Sequence, residues 1–127
     1  MTKDIRDFVN QWLEKAEHDL AAANALMEVR PLILDTACFH CQQAVEKLFK
    51  AFLISKGTEI ILTHDVVLLQ KKCVDLDNDF ASIDLKDLND FAVDVRYPAD
   101  VLMPSMTETK EYFEIAGKLK ELVIEKI

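Results

Sequence analysis

The chain has 127 residues, of which 50% are hydrophobic and only 2 are glycine and 3 are proline. This length is sufficient for one domain with its own core, and the scarcity of glycine and proline favours long helices. The formal net charge of −8 at pH 7 argues against non-specific binding to a phosphate backbone, which requires clustered lysine and arginine. Any contact with a nucleotide or a nucleic acid must therefore come from a local group of basic residues.

The N-terminal stretch is charged throughout and does not have the pattern of a secretory signal, and charged residues interrupt the most apolar stretch of the chain, residues 44–54. We expect a cytoplasmic protein that does not enter a membrane. The three cysteines, Cys38, Cys41 and Cys73, have no second Cys or His pair that would complete a tetrahedral zinc site. We interpret them as buried free thiols and expect neither a metal ion nor a cofactor.

Apolar residues recur at spacings of three and four along the first segment and predict a helix from about Thr2 to Glu28. A second helix is predicted from about Leu34 to Lys56, and Gly57 follows it as a suitable C′ residue. The apolar residues of this second helix cover more than one side. That pattern is typical of a central helix that is packed from several directions.

Two shorter helices are predicted next. Thr63 is a suitable N-cap for a third helix over about 64–74, and Asp84 is one for a fourth helix over 85–96. Pro98 follows closely and cannot continue a regular helix.

The last helix is predicted over 106–126, because Ser105 and Glu108 have the spacing of a capping box. No alternating strand pattern competes with these segments. The sequence thus predicts an all-α fold, an antiparallel up-and-down bundle of about five helices that forms a single domain over residues 1–127.

One line of polar side chains runs along the second helix. Gln43, Glu46, Lys47 and Lys50 lie at i, i+3, i+4 and i+7 and so share one face, which His40 extends by one turn. The simplest interpretation is a solvated edge on which Glu46 and Lys50 form a pair that contributes about 0.3–0.5 kcal/mol.

Two other segments carry polar groups at predicted helix ends. THDVVLL (63–69) places His64 and Asp65 at a helix start, and DVRYP (94–98) places Arg96 and Tyr97 at a helix end. Arg96 also has an ordinary explanation, because a cation is favourable near a helix C-terminus.

Taken in order, these segments resemble a HEPN domain, a helical domain of prokaryotes and higher eukaryotes that is linked to nucleotide or RNA binding. The resemblance is carried by ACFHCQQAVEKLFKAFLISKG (37–57), THDVVLL and RYP (96–98), and the pattern WLEKAEHDLAAANALM (12–27) extends it over nearly the whole chain. The Gln-Ala-x-Glu-Lys-x-x-Lys core followed by Thr-His-Asp is typical of the single-domain bacterial and archaeal branch.

Many HEPN domains are metal-independent ribonucleases whose Arg-x(4–6)-His motifs meet across a dimer. The resemblance implies that Arg96 is the arginine, but positions 101–103 carry Val, Leu and Met instead of the histidine. All the histidines precede Arg96, so the expected proton-transfer group for attack by a 2′-hydroxyl is missing unless His64 substitutes for it. We therefore expect a protein that is not an enzyme, with a ribonuclease that uses a displaced catalytic group as the alternative.

Other HEPN proteins assist a small nucleotidyltransferase, in a toxin–antitoxin-like pair, and complete its nucleotide site. The resemblance implies this non-catalytic role here, with a nucleotidyltransferase partner and a nucleotide as possible ligand. In one interpretation Lys47, Lys50 and Arg96 meet phosphates while Tyr97 stacks on a base or a ribose. In the other interpretation the same groups only tie helices together. The candidate residues for both are Gln43, Glu46, Lys47, Lys50, His64, Asp65, Arg96 and Tyr97.

A homodimer is expected from the same resemblance and from the second helix, whose apolar groups cover more sides than its neighbours need. The candidates for a surface that a second copy buries are Phe39, Phe49, Phe52 and Ile54. The alternative is that the EIIL loop (59–62) and the last helix cover these residues within one chain.

Overall fold

The structure is a computed structural model that describes residues 1–92 and 103–127. Within these ranges there is no strand, and the predicted all-α helical bundle is confirmed. No helix in this part of the chain is long and apolar enough to cross a membrane. The α-helices of the described residues are α1 (Lys3–Leu26), α2 (Leu34–Ser55), α3 (Val66–Leu76) and α4 (Met106–Lys126). Two short 3₁₀ helices of the same residues, Asn78–Ser82 and Leu88–Phe91, lie between α3 and α4.

Helix α2 is the centre of the bundle, as its apolar pattern predicted. It packs most extensively against α1, then against α4 and α3. Phe49 and Phe52 are fully buried, and the ring of Phe80, from the 3₁₀ helix after α3, lies 6.3 Å and 4.4 Å from theirs, measured between centroids. The polar residues of α2 are therefore held in a helix whose other sides are fixed by core packing.

The surplus apolar surface that was expected on α2 is absent in three of its four candidate residues. Phe49 and Phe52 are 0% exposed and Ile54 is 7% exposed, whereas Phe39 is half-buried. Helix α4 packs against α2, and Ile61 of the connecting loop packs against the same core. The alternative, cover within one chain, is correct for these three residues, and they give no argument for a dimer.

Helix α2 ends in a Schellman motif at Gly57, which confirms the predicted C′ residue. The N–H of Thr58 donates to the carbonyl of Leu53, and the N–H of Gly57 donates to the carbonyl of Ile54, both at 3.0 Å. Gly57 has φ +87°, a left-handed conformation that residues with a side chain adopt at a cost.

The capping box at the start of α4 is also confirmed, whereas the predicted cap of α3 is wrong. For α4, the hydroxyl of Ser105 accepts from the N–H of Glu108 at 3.0 Å, and the Glu108 carboxylate accepts from the N–H of Ser105 at 3.1 Å. For α3, Asp65 is the cap in place of Thr63, because the Thr63 hydroxyl accepts from the N–H of Asp65 at 3.1 Å and so closes a turn before the helix begins.

The predicted fourth helix, 85–96, is the main error within the described residues. Of the described residues 85–92, only Leu88–Phe91 forms a helix, of the 3₁₀ type, and Lys86 has φ +50°, which interrupts an α-helix. The carboxylate of Asp84 accepts from the N–H of Lys86 at 3.0 Å and closes a turn instead of capping a helix. The predicted helix end beyond Ala92 lies outside the described residues.

The three cysteines are free and buried, as the sequence predicted. Burial raises the pKa of Cys41 and of Cys73 from 9.0 to about 12, and it raises the pKa of Cys38 as well. Since the thiolate is the reactive form, these side chains act as core residues and not as nucleophiles.

We expect Gly57→Ala to lower the free energy of unfolding by about 1 kcal/mol, because alanine would have to take a left-handed conformation. No atom lies within 4 Å of the added Cβ, so the loss would come from the backbone alone. Gly117→Ala, within α4 and also without an atom within 4 Å, is the matched control and should raise the free energy of unfolding by about 0.5–1 kcal/mol. Urea unfolding followed by circular dichroism measures both, and effects of the same sign would contradict the account.

Candidate functional site

The carboxylate of Glu46 joins α2 to the start of α3. Its Oε2 accepts from Lys50 Nζ at 3.0 Å, and its Oε1 lies 2.8 Å from Nδ1 of His64. Because an ionised carboxylate only accepts, Nδ1 of His64 is the donor in this bond. Gln42, which is fully buried, donates from Nε2 to the carbonyl oxygen of His64 at 2.8 Å. We call Gln42, Glu46, Lys50 and His64 the Glu46 network.

Glu46 and Lys50 are buried, at 4% and 6% exposure, so the solvated-edge interpretation does not hold for them. The ammonium group of Lys50 also lies 5.6 Å from the centroid of the Trp12 ring on α1, a cation–π distance. Each of the two buried charges therefore has a partner, which burial requires. Trp12 differs, because its Nε1 is buried and makes no hydrogen bond.

A second group of charges lies between α1 and α2. Asp19, at 8% exposure, accepts from Lys47 Nζ at 2.5 Å through Oδ2, and its Oδ1 lies 2.9 Å from Nδ1 of His40. We call Asp19, His40 and Lys47 the Asp19 network. The polar residues of α2 therefore contact two different elements: Lys47 contacts α1, and Glu46 contacts the start of α3.

Asp65 has a structural role at the start of α3. Its Oδ1 accepts from the N–H groups of Val67 and Leu68 at 3.0 Å and 3.2 Å. The same oxygen accepts from Asn89 Nδ2 at 3.0 Å, and Asn89 Oδ1 accepts from the N–H of Val66 at 3.1 Å. The segment that follows α3 is therefore fixed beside the cap of α3.

The structure brings together only part of the predicted candidate set. Glu46, Lys50 and His64 meet in the Glu46 network, and Gln43 adjoins it because its Nε2 donates to Gln42 Oε1 at 2.8 Å. Lys47 belongs to the Asp19 network, and Asp65 to the cap of α3. Arg96 and Tyr97 lie outside the described residues, so the convergence of their segment with the other two remains a prediction.

Sequence reasoning missed Asp19, Gln42 and the contact of Trp12 with Lys50. For Asp19 and Gln42 the sequence did contain a signal, because each is a polar residue within an apolar face of its helix. Asp19 lies between buried Ala16 and Ala23 on α1, and Gln42 lies between buried Cys38 and Val45 on α2. A carboxylate or an amide in such a position needs a partner from another element.

The Glu46 network presents one imidazole at the surface. The side chain of His64 is 72% exposed, whereas that of Glu46 is 5% exposed. The carboxylate fixes the orientation of the ring, and Nε2 lies on the side of the ring away from Glu46. This arrangement offers an oriented, solvent-accessible imidazole. No group of three or more metal-ligating side chains that could hold an ion occurs among the residues that the structure describes.

Comparison with known proteins agrees with this architecture. A family model of the HEPN domain matches residues 9–127. The chain belongs to the HEPN domain family. The crystal structure of TT1696 from Thermus thermophilus has the same fold, with a TM-score of 0.71 at 24% sequence identity, over 94% of this chain and 98% of that chain. No curated protein matches this HEPN chain.

We expect Glu46→Leu to lower the free energy of unfolding by about 3–5 kcal/mol, because it leaves the buried ammonium group of Lys50 without its carboxylate. Lys50→Met should lower the free energy of unfolding by less, about 1–3 kcal/mol, since Glu46 keeps His64 as a partner. The loss in free energy of unfolding of the double variant should be smaller than the sum of the two single losses by at least about 1 kcal/mol.

The matched control is the ion pair of Lys86 and Glu111, 3.1 Å apart, whose side chains are 47% and 45% exposed. In that pair the same double-mutant cycle should give a coupling energy of about 0–1 kcal/mol. Chemical unfolding of all variants measures both cycles. Equal coupling energies in the two cycles would contradict the central position of Glu46.

Proposed function

We propose that this HEPN protein is a non-catalytic module that binds a nucleotide and assists a small nucleotidyltransferase, as one half of a toxin–antitoxin-like pair. The observation that carries the proposal is the Glu46 network. Both oxygens of its carboxylate are engaged by Lys50 and His64, so Glu46 is not free to act as an acid or a base. The exposed imidazole of His64 remains available as a hydrogen-bonding group for a ligand.

The charge distribution supports a small anionic ligand more than a long nucleic acid. The chain has a net charge of −8, which disfavours extended contact with a phosphate backbone. Lys47 and Lys50 nevertheless lie one turn apart on α2, and Lys50 shares the carboxylate of Glu46 with His64. Arg96 and Tyr97 complete the proposed ligand contacts, the first to a phosphate and the second to a base or a ribose.

Exposed apolar residues precede and follow His64 in the sequence, and they support a protein partner at the face that carries the start of α3. Leu62 is 94% exposed, and Ile60, Val67 and Leu68 are between 38% and 42% exposed. Apolar side chains close together in sequence on both sides of a polar group are typical of an interaction surface. We assign this face to the nucleotidyltransferase or to a second copy of the chain, in a homodimer.

A second candidate function, a metal-independent ribonuclease, is favoured by one observation. The pairing of His64 with a buried carboxylate is the geometry that orients a general acid or base. In this candidate, His64 replaces the histidine that the sequence lacks after Arg96.

Calorimetric titration with ATP and GTP tests the proposal. We expect one of them to bind, and His64→Ala and Lys47→Met each to weaken binding about tenfold, because each removes a hydrogen-bonding group of the ligand site. Lys86→Met is the control for Lys47→Met, since it removes the same charge from an exposed pair, and it should leave the affinity unchanged.

Incubation with RNA in the presence of a chelator separates the two candidate functions. The proposal predicts no cleavage by the wild-type protein. Cleavage that is lost in both Arg96→Ala and His64→Ala would establish the ribonuclease instead. Absence of nucleotide binding, together with absence of a complex when the protein is co-expressed with a nucleotidyltransferase encoded beside it, would refute the proposed module.

A further inference from the structure

A shallow groove of about 230 Å³ lies between α1 and α2, next to the two networks. It is lined by Phe8, Gln11, Trp12, Lys15 and Lys47. The first four of these residues are spaced at i, i+3, i+4 and i+7 and therefore share one face of α1. Only Lys47 belongs to the predicted candidate set, so the α1 side of this groove is a new surface.

Two aromatic rings form one wall of the groove. Phe8 is 36% exposed, and its ring meets that of Trp12 edge to face, with 6.2 Å between centroids and 68° between planes. The ammonium group of Lys50 lies 5.6 Å from the centroid of the Trp12 ring, so the indole contacts both an aromatic ring and a cation. A fixed aromatic surface of this kind is suited to stacking with a planar ring of a ligand.

Cationic groups surround this aromatic wall in a chain that is otherwise acidic. Lys15 and Lys47 line the groove, and Lys50 contacts the Trp12 ring. Lys15 forms no ion pair among the residues that the structure describes, so its ammonium group is available. Lys47 is bound to Asp19 through one contact, and an ammonium group has three N–H donors. The wall of the groove is almost wholly apolar, so the alkyl stems of Lys15 and Lys47 line it and their ammonium groups lie at its rim.

We propose that this groove holds the base of a nucleotide against Phe8 and Trp12, with the phosphates at Lys15 and Lys47. This inference rests on the proposed function and assigns the base to α1, where no sequence motif placed it. The volume of the groove admits one ring system and leaves the sugar and phosphates at the surface.

Trp12 is the only tryptophan of the chain, so its fluorescence reports directly on the groove. We expect ATP to quench this fluorescence in a saturable manner and inorganic triphosphate to leave it nearly unchanged, because only the base stacks on the indole. Free N-acetyltryptophanamide in the same titration corrects for absorption by the nucleotide. A short single-stranded oligoribonucleotide is titrated in the same way, since its terminal nucleotide offers the same base and phosphate groups.

Variants locate the binding site. Phe8→Ala should weaken ATP binding about tenfold in calorimetry, because it removes half of the stacking surface. Lys15→Met should also weaken it, because it removes a cationic group that lines the groove. Leu76→Ala, a truncation of another exposed apolar side chain at 54% exposure, is the control and should have no effect.

The outcomes separate this inference from the proposed function. Calorimetric binding of ATP without a change in Trp12 fluorescence, and with equal affinity in Phe8→Ala, would overturn the groove and leave the nucleotide-binding module intact. Binding of the oligoribonucleotide without binding of ATP would overturn the assignment to a free nucleotide. Absence of binding by every ligand would overturn both the groove and the nucleotide part of the proposed function, and the partner role would then stand on co-expression alone.

Discussion

The bond between Glu46 and Lys50 is the interaction on which the arrangement of this HEPN chain depends. Both groups are buried in the packed centre of the bundle, where a charge without a partner is costly. The second oxygen of Glu46 holds His64, and Gln42 holds the backbone of the same residue. The start of α3 is thereby fixed to α2, and Asp65 and Asn89 extend this connection to the segment after α3.

Local signals in the sequence were sufficient to predict most of the helical fold. The spacing of apolar residues gave α1, α2 and α4, and Gly57 and Ser105 marked helix ends through backbone geometry that depends on few neighbours. The errors occurred where a short polar side chain accepts from an N–H two residues later and so closes a turn, in place of capping a helix. Thr63 and Asp65 are both possible caps for α3, and Asp84 closes a turn where a helix was expected.

The candidate site was predictable only in part, because its charges are compensated by residues from other elements. The i, i+4 spacing of Glu46 and Lys50 predicted their pairing, but the burial of that pair depends on Trp12 and on the loop before α3. Asp19 was missed since its partners, His40 and Lys47, lie on another helix. The family match accounts for the fold, whereas the ligand and the partner rest on the proposals argued from these contacts.

The most direct test of the account is the hydrogen exchange of the Lys50 ammonium group, measured by ¹⁵N NMR of the lysine side chains. Because Lys50 is 6% exposed and bonded to Glu46, its exchange should be at least about tenfold slower than that of the exposed Lys71 and Lys72, and this protection should disappear in Glu46→Gln. Exchange at Lys50 as fast as at Lys71 would show that the ion pair is open to solvent and would contradict the account.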